Sequence, residues 1–178
     1  MKILTKENAS EMLGGKPLDT FVIELSNRLH LVGDTYSIPP DSGKKTALSR
    51  LFAYLLLRSP NVCIYVSGWG VWGSSENLDL FYGYRRSFGE NRTLMEASVH
   101  LFEQSEEDTF VSILCMAFYF VWDAWVFDTE GKALLRISHD EWLEVRTDDE
   151  SARKEFATEL EKYGIPLRLA EVSDRRAE

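Results

Sequence analysis

The spacing of apolar residues changes period several times along the chain, and each change marks an element. Leu48, Leu51, Phe52, Leu55 and Leu56 recur at helical intervals, which predicts a helix with one buried stripe, capped by Asp41 or Ser42 and stopped at Arg58-Ser59-Pro60. Upstream, a short helix is expected over Thr5 to Leu13, closed by Gly14-Gly15, and a second over Thr20 to Leu29, before Pro39-Pro40 ends the section. Asn61 to Val66 is a continuous apolar run and reads as a buried strand. The loop behind it, Ser67 to Ser75, sets Trp69 and Trp72 among three glycines.

From Glu76 to Phe88 the pattern supports two readings. Leu78, Phe81, Tyr82 and Arg85 fit a helix with Gly89 as its C-cap, while Leu78, Leu80, Tyr82 and Tyr84 alternate as in a strand. Ala97 to Glu103 reads as a strand, and Ser105 followed by three carboxylates reads as the capped start of a helix. That helix is apolar on every side from Phe110 to Phe120, so it is expected at the centre of the fold. Trp122 to Phe127 and Ala133 to Ile137 flank Asp128-Thr129-Glu130-Gly131 and predict an antiparallel hairpin, which Trp142 to Val145 extends. Trp122 and Trp125 then fall on opposite faces of one strand. A last amphipathic helix opens at Asp148-Asp149-Glu150-Ser151, carries Phe156, Leu160 and Tyr163, and ends at Gly164.

These elements predict an α+β fold: one domain, residues 1–178, with a mostly antiparallel sheet of four to six strands and three to five helices. A chain of 178 residues with 44% hydrophobic and 28% charged positions can bury a core without cross-links. The most apolar window, Phe110 to Phe127, is interrupted by Asp123 and is too short for a bilayer span. The N-terminus is charged within a few residues and has no apolar leader stretch, so a cytoplasmic location is expected. Cys63 and Cys115 lie in apolar runs without metal-ligand spacing, so they are expected as reduced core residues.

Charge narrows the partners. The net charge of −9 disfavours nucleic acid and anionic membranes. It is concentrated in residues 103–150, which hold 13 acidic and 3 basic side chains. Such a region either serves as a solvated face or meets a cationic protein partner.

No catalytic or cofactor motif is intact, so no cofactor is expected. Ser42-Gly43-Lys44-Lys45-Thr46 lacks the first glycine of a phosphate loop, where Ile38 stands, and its Ser or Thr, where Lys45 stands. Ser67 lacks the glycine of a nucleophile elbow at Tyr65. His139-Asp140-Glu141 is the densest ionisable cluster, with Asp123, Asp128 and His100 as potential neighbours, and it reads either as an acid–base or ligand site or as a strand-end turn. Arg85 and Arg86, beside Tyr82, either clamp an anion or pair internally with Glu76, Asp79, Glu90 or Glu96. Trp69 and Trp72 either cover core or meet a ligand.

Phe120-Val121-Trp122-Asp123-Ala124-Trp125, followed by Arg136-Ile137-Ser138-His139-Asp140-Glu141-Trp142, resembles segments of small acidic bacterial α+β proteins, some of them immunity proteins that neutralise toxins. The resemblance covers about a fifth of the chain, implies a binding protein whose acidic surface meets a basic toxin, and carries over no catalytic residue. Three functions follow. The first is a non-catalytic interaction module with an acidic, aromatic-containing face. The second is a small-ligand-binding protein or enzyme with a pocket near Trp69, Trp72, Tyr82, Arg85, Arg86, His139, Asp140 and Glu141. The third is a subunit that forms a homodimer through its aromatic surface.

Overall fold

A computed structural model describes residues 1–29, 34–68 and 78–165, and in it the alternating runs join into a single antiparallel sheet. Its seven strands are β1 (Lys2–Leu4), β2 (Asp34–Ser37), β3 (Asn61–Gly68), β4 (Val99–Glu103), β5 (Asp123–Asp128), β6 (Ala133–Ser138) and β7 (Trp142–Thr147). Their spatial order is β1-β4-β3-β5-β6-β7-β2. Six helices accompany them: α1 (Lys6–Met12), α2 (Leu18–Arg28), α3 (Ser42–Leu56), α4 (Leu78–Ser87), α5 (Glu107–Tyr119) and α6 (Glu150–Lys162). The fold is α+β as expected, with one strand and one helix more than the upper bounds read from the sequence. The two strands that no run in the sequence announced are the short edges β1 and β2, held by pairing with β4 and β7.

Period-two alternation sorts the strand residues onto two faces, and both are covered. Val62, Ile64, Val66, Val126, Leu135, Ile137 and Leu143 join a core beneath α3, α5 and α6. Cys63, Tyr65, Val99, Leu101, Phe127 and Leu134 join a second core beneath α1 and α2. Burial on both faces explains why β3 reads as a continuous apolar run. It also settles the tryptophans: Trp122, just before β5, packs against Phe81 on the first face, and Trp125 packs into the second core.

Polar contacts fasten the α1–α2 layer. The Tyr65 hydroxyl donates to Asp19 at 2.6 Å, and Lys6 pairs with the same carboxylate at 3.1 Å. Arg146 donates to Ser26 O at 2.6 Å, and Arg28 donates to Gly131 O at 2.6 Å in the β5–β6 turn. Gly131 has φ +72°, and a Cβ there would collide with the Arg28 guanidinium. Gly131→Ala is therefore expected to cost about 1–2 kcal/mol from the left-handed backbone alone. A melting temperature lower by roughly 2–8 °C would record it, and an unchanged one would contradict this account of the turn.

Several local expectations meet corrections. Leu78–Ser87 is helix, with Gly89 at φ +81° beyond it, so the strand reading of that stretch falls. Phe81 and Arg85 are both buried while Gly83 between them is exposed, a pattern that fits helical spacing and not the two-residue period of a strand. The cap before α5 is not Ser105. Glu103 and Glu106 form a reciprocal capping box around a 3-10 turn at Gln104–Glu106, and α5 begins at Glu107. α5 is not enclosed on all sides either: the sheet and α3 cover two of its flanks, and Tyr119 is left exposed. Tyr163 leaves the buried stripe of α6 because the helix ends at Lys162 and the chain reverses at Gly164, φ +62°.

Candidate functional site

Among the described residues three places hold side chains able to recognise something, and two of them coincide with sequence candidates. The first lies where β3 ends and β5 begins. Gly68 pairs with Asp123 across a register shift after Val66. Asp123 reaches the end of β6, where its Oδ1 accepts the His139 backbone N–H at 3.0 Å and its Oδ2 accepts from His139 Nδ1 at 2.7 Å. Asp140 Oδ1 lies 3.5 Å from His139 Nε2. Val121 at φ +54° and Glu141 at φ +59°, the described non-glycine residues with positive φ, flank this cluster. Such backbone is strained for a β-branched residue and gathers at sites where geometry is over-determined.

The hydrogen bond from His139 to Asp123, then the charges of Asp123 and Asp140, lift the imidazole above its ordinary 6.5. The folded state then holds the proton more tightly than the unfolded chain. This contribution is complete below about pH 6.5 and is lost as pH rises through the raised value. Wild type should lose more melting temperature than His139→Gln between about pH 6 and pH 8.5. Equal losses would show that the pair does not act in this way.

Among the described residues no nucleophile completes this pair. Ser67 Oγ donates to the Asp123 carbonyl at 3.3 Å, and the His139 nitrogens face Asp123 and Asp140. Among the described residues no cluster of three His, Cys, Asp or Glu side chains is placed to hold a metal ion. Burial pushes the Cys63 thiol up to about 12, which leaves it inert, and both cysteines are free.

The second place is beneath α4. Arg85 is fully buried, and its Nη2 donates to Ala97 O at 2.8 Å. Among the described residues its Nε and Nη1 have no hydrogen-bond partner, and neither have Ser98 Oγ and His100 Nε2 on the same strand segment. His100 Nδ1 faces Ile64 O at 3.3 Å; a carbonyl only accepts, so the ring proton sits on Nδ1 and Nε2 is an acceptor. Burial, then the charge of Arg85, depresses His100 to about 3, so the ring is neutral. No carboxylate among the described residues lies within ion-pair distance of Arg85 or Arg86, because Glu90 is held by Arg92 at 2.5 Å and Glu96 by Thr93. The expected internal ion pairs with these two carboxylates are thus not formed. Arg86 instead lies over the Tyr82 ring at 5.9 Å, and the Tyr82 hydroxyl accepts from Leu94 N at 3.4 Å. Trp69 and Trp72 lie outside the described residues.

The third place carries no sequence candidate. The antiparallel pair α3 and α6 leaves an outer groove of about 450 Å³, with Arg50 on one side and Glu155 and Glu159 on the other. Tyr54, 57% exposed, and Tyr163, 44% exposed, stand at its banks. Tyr54 was legible as a surface residue because it falls off the Leu48–Leu56 stripe. Tyr163 was not, because its helical spacing from Phe156 and Leu160 placed it with the core.

The carboxylates of residues 103–150 are largely engaged. Glu103 pairs with Lys2, Glu106 with the N-terminus, Glu130 with Lys132, Glu144 with Arg146, and Glu150 with Arg153 and Lys154. Asp128 and Asp149 accept backbone N–H groups. Acidity in this stretch serves turns and short ion pairs before it serves any partner. No known protein family, curated protein or solved structure matches the chain.

Proposed function

We propose that this chain is a non-catalytic protein-binding module that docks a basic polypeptide across the α3–α6 groove. The observation that carries the reading is the pair of exposed tyrosines, Tyr54 and Tyr163, on the two banks of one groove. Tyrosine presents a large, stiff, amphipathic surface and is enriched among residues that dominate binding energy. Glu155 and Glu159 line the same groove, paired with Arg58 at 3.3 Å and with Lys162. Exposed pairs of this kind contribute little, about 0–1 kcal/mol, so a partner's cations can replace them. A basic toxin is the partner that the resemblance to immunity proteins implies. The engaged nitrogens of His139 and the occupied hydroxyl of Ser67 support a module without catalysis.

Capture on immobilised wild type, compared with Tyr54→Ala/Tyr163→Ala, tests this. A protein retained by wild type, released by about 0.5 M salt and lost by the variant is expected. Identical sets on both baits would refute the groove. A second copy of the chain is the other occupant to distinguish, and light scattering at two concentrations does so.

A second reading has its own observation. The buried Arg85 guanidinium, with no hydrogen-bond partner for Nε and Nη1 among the described residues, beside Ser98 Oγ and His100 Nε2, supports a small-ligand site under α4. Loss of a phosphate- or acetate-induced rise in melting temperature on Arg85→Met would favour it over the groove.

A further inference from the structure

At the base of the α3–α6 pair lies a feature that the docking groove does not use. Where α3 ends and α6 begins, a cleft of about 160 Å³ lies between these helices and the β6–β7 hairpin. Its walls are apolar, with Phe52 and Leu56 from α3, Leu135 from β6 and Phe156 from α6. The Phe52 and Phe156 rings meet at 4.9 Å and form a continuous aromatic wall. An apolar cavity of roughly 150 Å³ holds one benzene-sized ring.

The mouth differs from the walls. Arg58, Lys132 and Arg153 stand around it with Asp128, Asp148 and Asp149. Signed charge sums to zero there, but availability does not. Both oxygens of Asp128 are taken by the backbone N–H groups of Glu130, Lys132 and Ala133. Asp149 Oδ1 is taken by those of Ser151 and Ala152. Arg58 and Lys132 hold exposed side-chain partners, Arg58 with Glu155 at 3.3 Å and Lys132 with Glu130 at 2.6 Å. Lys132 holds its proton more firmly than usual because of the Glu130 bond, so it is charged. A ligand can draw on the basic groups, while Asp128 and Asp149 Oδ1 are already held and Asp148 is the carboxylate at the mouth that stays exposed to solvent.

We propose that this cleft binds a small aromatic carboxylate, with its ring between Phe52, Leu135 and Phe156 and its carboxylate at Arg58 and Lys132. The ring fills the volume and the carboxylate exchanges with the surface partners of the two cations. The cleft touches the α3–α6 groove only through Arg58, which pairs with Glu155 and lies over Tyr54, and its apolar walls lie outside the groove, so failure of protein docking leaves the cleft proposal standing.

Titration of the full chain with phenylacetate, benzyl alcohol and benzylamine, followed by amide chemical shifts, is the test. Phenylacetate should saturate with a dissociation constant of about 0.1–1 mM, the range open to a ligand of some ten heavy atoms. It should bind at least about tenfold tighter than benzylamine. Ala152→Leu, which grows a side chain into the cleft, should abolish binding. Arg58→Glu/Lys132→Glu changes only exposed side chains and should reverse the order to favour benzylamine. Three equal affinities, no saturation by phenylacetate up to about 10 mM, or an unchanged affinity in folded Ala152→Leu would each overturn the proposal.

Discussion

Asp128→Ala should lower the unfolding free energy by about 3–5 kcal/mol, since each orphaned buried donor costs roughly 1–3 kcal/mol. The residue is 1% exposed, and its two oxygens close the β5–β6 turn by accepting from Glu130 N at 2.9 Å, Lys132 N at 2.9 Å and Ala133 N at 2.6 Å. Alanine removes every acceptor from a turn whose hydrogen bonds are part-buried. An asparagine side chain would keep one acceptor oxygen and set an amide donor against the remaining N–H groups, so Asp128→Asn should fall between alanine and wild type. Urea denaturation measures both. A loss under about 1 kcal/mol for alanine would mean that the turn finds other acceptors.

Removing both groove tyrosines should weaken the proposed docking by about two orders of magnitude or more, on the basis of roughly 2 kcal/mol for each well-placed aromatic anchor. Tyr54→Ala and Tyr163→Ala should leave the fold nearly intact, because both rings are largely in water and surface replacements cost within about 0.5 kcal/mol. The Arg58 guanidinium lies over the Tyr54 ring at 4.5 Å, so some of the effect at Tyr54 would come from releasing Arg58. Isothermal titration with the captured partner, with circular dichroism on each variant, separates loss of binding from loss of structure. Retention of wild-type affinity in the double variant would remove the tyrosines as anchors.

Much of the fold could be read from the chain because its signals are local. Asp41 and Asp149 cap α3 and α6 through their own side chains, and Gly14, Gly89 and Gly164 turn the chain with positive φ. The β5–β6 hairpin announces itself by alternation on both sides of Asp128 to Gly131. The edge strands were hidden because three or four residues are too few to alternate, and they exist by pairing with β4 and β7. The site was far less legible. Nothing in Arg85-Arg86 distinguishes a fully buried guanidinium from a surface one; the difference comes from the face of α4 that meets β4. The contact between Asp123 and His139 spans sixteen residues and depends on β5 and β6 being antiparallel neighbours. The cleft and the groove are products of how α3 and α6 cross the sheet, which no periodicity encodes. Regional charge says least about the site, since composition counts carboxylates without showing that a turn or a neighbouring lysine already holds them.

The most direct measurement places a photo-crosslinking benzoylphenylalanine at position 54 or 163 and, as a control, at Ile23, which is exposed on α2 at the opposite face of the sheet. If the α3–α6 groove receives a partner, irradiation in cells should give the same adduct from positions 54 and 163 and none from position 23. Adducts from position 23 alone, or equally from all three, would contradict it.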